Sequence, residues 1–247
     1  MRLLTPGAFD VMDVVGLDPD EAWLYYMASP ENATQKYLYR IRIEGKGPPE
    51  RLTPADQPGT HSYHVSSDLR WAVHTYSTFD SPPVTDLVHL PDQKVERVLE
   101  DHAKLRSNAR ALLSQPTAFL RLDIGEGVTL DGWLMKPREF DPGKKYPILV
   151  YVYGEPAAQT VVDRWDGWHG IFHRALAQEG YIVASFDNRG TPAPKFEAHG
   201  ARLCTAASEC CPQRNRRWRF KPLSGGVRIS MRIALPSGAA AAAVPTR

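Results

Sequence analysis

The sequence predicts a mixed β and α/β fold, with antiparallel strands over its first hundred residues and a β–α–β unit over the next ninety. Three observations carry this. Residues 9–90 break into short apolar or alternating runs, divided by turn residues at spacings of roughly 8–12 residues. Tyr146–Pro156, YPILVYVYGEP, is apolar on both alternations and ends in a glycine turn, as expected of a strand covered on both faces. Apolar residues at helical spacing over Trp165–Gly180 then lead into a second apolar strand, Tyr181–Phe186, which makes a parallel pair bridged by a helix.

Taken in order, Phe9–Val15 is the first strand, and Gly16-Leu17-Asp18-Pro19-Asp20 is a turn by composition. Trp23–Met27 follows, then a loop over Ser29–Thr34. Lys36–Ile43 alternates strictly, with Tyr37, Tyr39, Ile41 and Ile43 on one side and positive charge or leucine on the other, the pattern of a half-buried antiparallel strand. Glu50–Thr53, His61–Val65, Trp71–Ser77 and Val84–Leu90 complete the series. Two stretches, starting at EAWLYYMAS and LRWAVHTYS, each give strand, loop, strand, polar turn, strand. About 40 residues per repeat suits one four-stranded propeller blade, with a β-sandwich as the alternative.

Val98–Ser114 changes period. Leu99, His102, Leu105, Ala109 and Leu112 fall on one helical face, so a linker with a short helix divides the chain near residues 100–110. Ala118–Ile124 and Val128–Lys136 are strands joined by Gly125-Glu126-Gly127, a hairpin. Pro147 starts the Tyr146–Pro156 strand because it has no N–H to give an inner ladder. In the helix, Trp168, Ile171, Phe172, Ala175 and Leu176 form the expected apolar face, and Gly180 ends it.

Composition sets limits. Hydrophobic content of 43% and charged content of 23% suit a globular protein, and 21 prolines favour strands and loops. The net charge of +2 hides an asymmetry: residues 1–197 hold 21 Lys/Arg and 27 Asp/Glu, residues 198–247 hold 9 and 1. Cys204, Cys210 and Cys211 are all in that basic stretch, so no disulfide framework holds the patterned part, and cysteine usage indicates no compartment. No apolar run reaches the roughly 18–20 residues of a membrane span. Nor does MRLLTPGAFDVMDVVG contain a signal-type apolar core. As written the chain reads as cytoplasmic, with the compartment of any parent protein left open. Residues 196–247 largely lose both periods and read as disordered or out-of-frame sequence; the exception is Val227–Ile233, VRISMRI, which alternates.

KKYPILVYVYGEP followed by DRWDGWHGIFHRALAQEGYIVASFDNRGTPAPK resembles the start of the hydrolase domain in prolyl oligopeptidase family serine peptidases, the dipeptidyl peptidase IV group above all. Upstream, EAWLYYMAS, KYLYRIRIEG, GTHSYHVSSDLRWAVHTYSTFDSPPV and ERVLEDHAKL resemble the last propeller blades of that group. The resemblance covers about residues 9–195. It implies a partial β-propeller over 1–105, the N-terminal part of an α/β-hydrolase domain over 106–195, and a tail outside the pattern over 196–247. It implies release of N-terminal dipeptides from peptide substrates by Ser–His–Asp acyl transfer. One catalytic residue carries over: Tyr153, whose hydroxyl matches the group's oxyanion-hole tyrosine. A phenol O–H aimed at developing negative charge suits that role, whereas the residues alone favour a core tyrosine bonded to a carbonyl. Glu155 stands where the group often has a second glycine.

No Gly-x-Ser-x-Gly nucleophile elbow occurs in the 247 residues, and no histidine follows His199. Pro222-Leu223-Ser224-Gly225-Gly226 comes nearest but lacks the first glycine and an apolar strand before it, so Ser224 is not read as a nucleophile. The expectation is an internal piece of a peptidase without its nucleophile, acid and base, inactive by itself; the alternative is a non-catalytic remnant or a protein-binding module. Other constellations read as structural. Asp10, Asp13, Asp18, Asp20 and Glu21 lack Ca²⁺-loop spacing. His61, His64 and His74 are expected to pack or face solvent, and His169 and His173 lack an HExxH motif. Asp163 and Asp187 are expected to cap the helix and a turn. The three cysteines lack a CxxC pair, and the arginines of 214–219 lack a folded nucleic-acid platform. No cofactor, metal or specific nucleic-acid partner is expected, and the sequence does not indicate an oligomeric state.

Overall fold

The computed structural model describes residues 4–188 and Thr191, apart from 8, 21, 111, 126–128 and 155–157. These residues form three four-stranded sheets. The first is an antiparallel meander of β1 (Val11–Leu17), β2 (Trp23–Ala28), β3 (Tyr37–Arg42) and β4 (Glu50–Arg51). β1 runs on through Gly16 and Leu17, which the composition assigns to the turn. Two register shifts along it absorb extra residues, so the ladder to β2 continues to Leu17 opposite Leu24. The turn itself is closed by Asp18, whose Oδ1 accepts from the N–H groups of Ala22 (2.6 Å) and Trp23 (2.9 Å).

The second sheet repeats the meander with β5 (Thr60–Val65), β6 (Trp71–Thr78), β7 (Ser81–His89) and β8 (Lys94–Glu100). β7 begins three residues before the expected Val84. Pro82 and Pro83 are tolerated because the ladder to β8 starts only at Thr85, past both prolines. β8 itself takes Leu99 out of the expected helix, which shrinks to α1 (Ala103–Ala109), with a 3₁₀ turn at Leu112–Ser114.

The first two sheets share one apolar core of Tyr25, Met27, Leu38, Tyr63, Leu69, Ala72, Val88 and Leu90. Lys36 and His61 stitch them together: Lys36 N–H donates to Gly59 O (3.2 Å) and His61 N–H to Lys36 O (3.0 Å). This corrects the half-buried reading of β3. Leu38 is fully buried against the second sheet, while Tyr37, Tyr39 and Ile41 pack with Tyr26 and Ala28 on the opposite face. Alternation in the sequence marks one buried face; the neighbouring sheet supplies the cover for the other.

The third sheet has the order β11-β12-β10-β9, built from β9 (Thr117–Asp123), β10 (Thr129–Met135), β11 (Ile148–Tyr151) and β12 (Ile182–Phe186). β9, β10 and β12 pair antiparallel. β11 and β12 pair parallel, from Ile148 opposite Ile182 to Tyr151 opposite Ser185, with α2 (Gly167–Gln178) as the crossover. Gly180 ends that helix at φ 90, its N–H donating to Ala177 O (3.2 Å) and the Tyr181 N–H to Leu176 O (3.1 Å). A left-handed residue there lets the trailing carbonyls be satisfied, which glycine does without steric cost.

Two expectations for this sheet need correction. β11 is not covered on both faces: it is the edge strand, and Ile148, Leu149 and Val150 are each close to 40% exposed. The buried stripe of α2 is also not the one its apolar residues mark. His173, Arg174 and Ala177 are buried, whereas Trp168 is 72% exposed and Phe172 is exposed as well. The helix is rotated by what it meets. Arg174 reaches the second sheet, donating to Phe79 O (2.9 Å) and Asp80 Oδ1 (2.6 Å), and His173 lies against Trp133 and Tyr151.

Candidate functional site

β11 delivers Tyr153 to the carboxyl end of the one parallel pair among the described strands. This is where open α/β sheets place ligands. Tyr153 is 52% exposed, so it is not sealed in the core. Gly154 follows at φ 86, with no atom within 4 Å of where a Cβ would stand. The turn there is set by the backbone conformation and not by crowding. Glu155 and Pro156 lie outside the described residues.

Asp187 emerges from the same end of the neighbouring strand β12. Burial pushes its carboxyl pKa above the usual range, against the pull of hydrogen bonds from Thr160 and Val161. It accepts from Thr160 N–H (2.7 Å), Thr160 Oγ1 (3.0 Å) and Val161 N–H (3.3 Å). Its oxygens are thus engaged in closing the turn, as expected, and it is a poor candidate for a base. Trp133 holds the same turn from below, its Nε1 donating to Thr160 O (3.0 Å).

The segment closed in this way, residues 158–166, docks the third sheet on the other two through Asp163. Oδ1 accepts from Phe79 N–H (2.7 Å) and Oδ2 from Gln35 Nε2 (2.7 Å), while the Asp163 N–H donates to Thr34 O (2.6 Å) and its carbonyl accepts from Thr60 Oγ1 (2.9 Å). Asp163 therefore does not cap α2, whose N-cap is Asp166 with no side-chain cap bond. Its two side-chain bonds span 84 and 128 residues of sequence. No local pattern signals it, because its partners are chosen by how the sheets dock.

Of the three nearby histidines, His61 and His74 meet and His64 faces solvent. His61 Nε2 lies 3.0 Å from Gln57 O and His61 Nδ1 lies 2.9 Å from His74 Nε2. The carbonyl can only accept, so the chain of protons runs from His74 to His61 to Gln57, and both rings are neutral. Burial lowers the pKa of His61 to about 4; burial and then the His61 neighbour lower that of His74 to about 3. Tyr63 and Tyr76 stack on the pair, and Tyr37 lies tilted against His61. His173 is likewise buried, with its pKa lowered first by burial, and its ring lies tilted against Tyr151. Among the described residues no three His, Cys, Asp or Glu side chains group as metal ligands. Ser224, the three cysteines and the 214–219 arginines lie outside the described residues. No helix among the described residues is long and apolar enough to cross a membrane.

Two antiparallel four-stranded sheets tethered to a mixed sheet with an exposed tyrosine at its parallel end define a composite of an all-β unit and an α/β unit. Comparison with known proteins says which. The family described as the dipeptidyl peptidase IV N-terminal region matches residues 1–83. A probable dipeptidyl-aminopeptidase B of Emericella nidulans is 32% identical over 192 residues, covering 76% of this chain and 21% of that protein. Dipeptidyl peptidase 8 of Mus musculus is 29% identical over 196 residues, covering 76% of this chain and 22% of that protein. Among solved structures, dipeptidyl peptidase 4 of Porphyromonas gingivalis superposes with a TM-score of 0.70 at 30% identity, over 78% of this chain and 26% of that one. Over about three quarters of its length the chain is similar to members of the dipeptidyl peptidase IV group, and it spans about a fifth of the length of the curated relatives it matches.

Proposed function

We propose that this chain is the junction of a serine-type dipeptidyl peptidase. The first two sheets are the last blades of a β-propeller over residues 1–105. The third is the opening part of an α/β-hydrolase domain over 106–195. Residues 196–247 stand outside both. The single observation that carries this reading is Tyr153, half-exposed beyond a parallel edge strand in a chain whose relatives are dipeptidyl peptidases. In such a site its phenol O–H donates to the oxyanion that forms when a serine attacks the scissile carbonyl of a peptide substrate. The O–H gains strength as charge develops, so it stabilises the transition state more than the bound peptide.

The serine, histidine and aspartate of that reaction are not supplied by these 247 residues, which contain no Gly-x-Ser-x-Gly and no histidine past His199. The chain by itself is therefore inactive. A fluorophosphonate probe for activated serines checks this: no labelling is expected, and labelling at Ser224 would overturn it. A second reading, a protein-binding module without catalysis, is favoured by the apolar surface that β11 and α2 leave open. Grafting residues 1–195 onto the remainder of a related peptidase separates the two: restored dipeptide release that falls with Tyr153→Phe supports the first, and an inactive but folded chimera supports the second.

A further inference from the structure

Where the first two sheets meet the 158–164 segment there is a cleft of ≈ 250 Å³, walled by Met12 of β1, the 33–36 turn, the start of β5 and that segment. Part of its wall is apolar, from Met12, Ala33 and Val162, and its two charged side chains, Lys36 and Arg164, are both cations. Neither forms an ion pair with a described residue. The adjacent carboxylate, Asp163, is already engaged by Gln35 and the Phe79 N–H. The Lys36 amine is held below its ordinary range first by burial and then by the Arg164 charge, with Asp13 pulling weakly the other way. Two like charges thus share a partly desolvated cleft without a dedicated counter-ion, an arrangement that an incoming anion relieves.

We propose that this cleft binds a small carboxylate carrying a short apolar body, with Lys36 and Arg164 holding the carboxylate and Met12, Ala33 and Val162 receiving the body. The size sits just under the roughly 300–1,000 Å³ of ordinary small-molecule sites, which suits one or two amino-acid residues. The apolar wall is the reason for a carboxylate over inorganic phosphate, which offers nothing to bury there. A peptide C-terminus and a simple carboxylic acid share this chemistry. The inference does not rest on the peptidase reading, since every residue it names lies in this chain and none belongs to the proposed catalytic site.

The test is calorimetric titration of the full 247-residue chain with four probes: N-acetyl-L-alanine, butyrate, N-acetyl-L-alanine N′-methylamide and inorganic phosphate. Saturable binding of at least one of the two acids is expected, N-acetyl-L-alanine the tighter if the source is a peptide end and butyrate if it is a simple acid. The amide, lacking the carboxylate, should not bind. Lys36→Met and Arg164→Met should each weaken binding by roughly tenfold or more, as expected for a lost charge-assisted contact, and Lys36→Arg should keep most of it. Arg164 is exposed, so its variant is expected to fold even if Lys36→Met does not. The proposal is overturned by absence of saturable binding for both acids, by equal binding of the amide, by tighter binding of phosphate, or by a folded Arg164→Met chain with unchanged affinity.

Discussion

The two halves of this molecule meet the same problem, an apolar strand needing cover, and solve it differently. β3 is covered on both faces from within the described residues: the second sheet takes Leu38 and the tyrosine cluster takes the other side. β11 has a comparably apolar sequence but is the edge of its sheet, with Ile148, Leu149, Val150 and Val152 exposed. The antiparallel meander brings each strand its neighbour through a short local turn. A parallel strand must wait for a crossover, and the free side of β11 has no described partner. Apolar sequence therefore records what cover a strand was selected for, whereas only topology says where that cover comes from.

The comparison predicts unequal costs for equal truncations. Leu38→Ala or Leu90→Ala, both fully buried between the first two sheets, should destabilise the chain by about 2–5 kcal/mol. Leu149→Ala on β11 should cost under about 1 kcal/mol, because the side chain is already 37% exposed. Urea unfolding of the three variants measures the gap, and equal losses would show that β11 is covered in solution.

The His61–His74 pair makes the first half acid-sensitive through two coupled rings, where the second half has the single buried His173. The two imidazoles have folded pKa values of about 4 and about 3, below the ordinary 6.5, so the unfolded chain binds protons first. Their contribution is whole above about pH 6.5 and is lost as pH falls toward the folded values. Each ring should raise the unfolding constant by about tenfold per pH unit in that window. His74→Phe should flatten the acid limb of a stability–pH curve, and an unchanged slope would break the assignment.

Cutting the tether between the halves should have a smaller effect on stability but a clearer signature. Asp163→Ala strands the Phe79 N–H and the Gln35 amide, at about 1–3 kcal/mol, and should split one calorimetric transition into two as the sheets lose their docking. Asp163→Asn keeps an acceptor and should recover part of the loss. Smallest of all is Tyr153→Phe, expected within about 0.5 kcal/mol of the parent chain, since the ring is half-exposed. A large loss there would mean that Tyr153 is a structural tyrosine, and would remove the observation on which the proposed function stands.

Much of the strand pattern was legible in advance: β2, β5, β6, β9, β10 and β12 lie within a residue or two of the runs that alternate or stay apolar between turn residues. The misses share a cause. The second repeat ends in a strand at the β8 position, but Val98–Glu100 also fall in the expected helical stretch because Leu99 and Leu105 are in phase. α2 was given the wrong inner face because His173 and Arg174 look polar, yet they are buried by partners on distant strands. At the candidate site, Tyr153 was singled out by its motif. The Asp163 tether, the His61–His74 pair and the cleft between Lys36 and Arg164 have no sequence signature, because each joins residues from different turns of the chain.

What the sequence by itself determined was local: the reach of most strands, the span of α2 between Gly167 and its closing Gly180, and the run that carries Tyr153 to a strand end. Backbone conformation, alternation and glycine turns act over a few residues, and a linear reading sees that far. Only the tertiary structure decided that β3 is buried twice and β11 once at most, that α2 turns His173 and Arg174 inward, and that Asp163 holds the two halves together. Those outcomes depend on which surfaces meet, and surfaces meet through docking between segments as distant in sequence as Thr34 and Asp163.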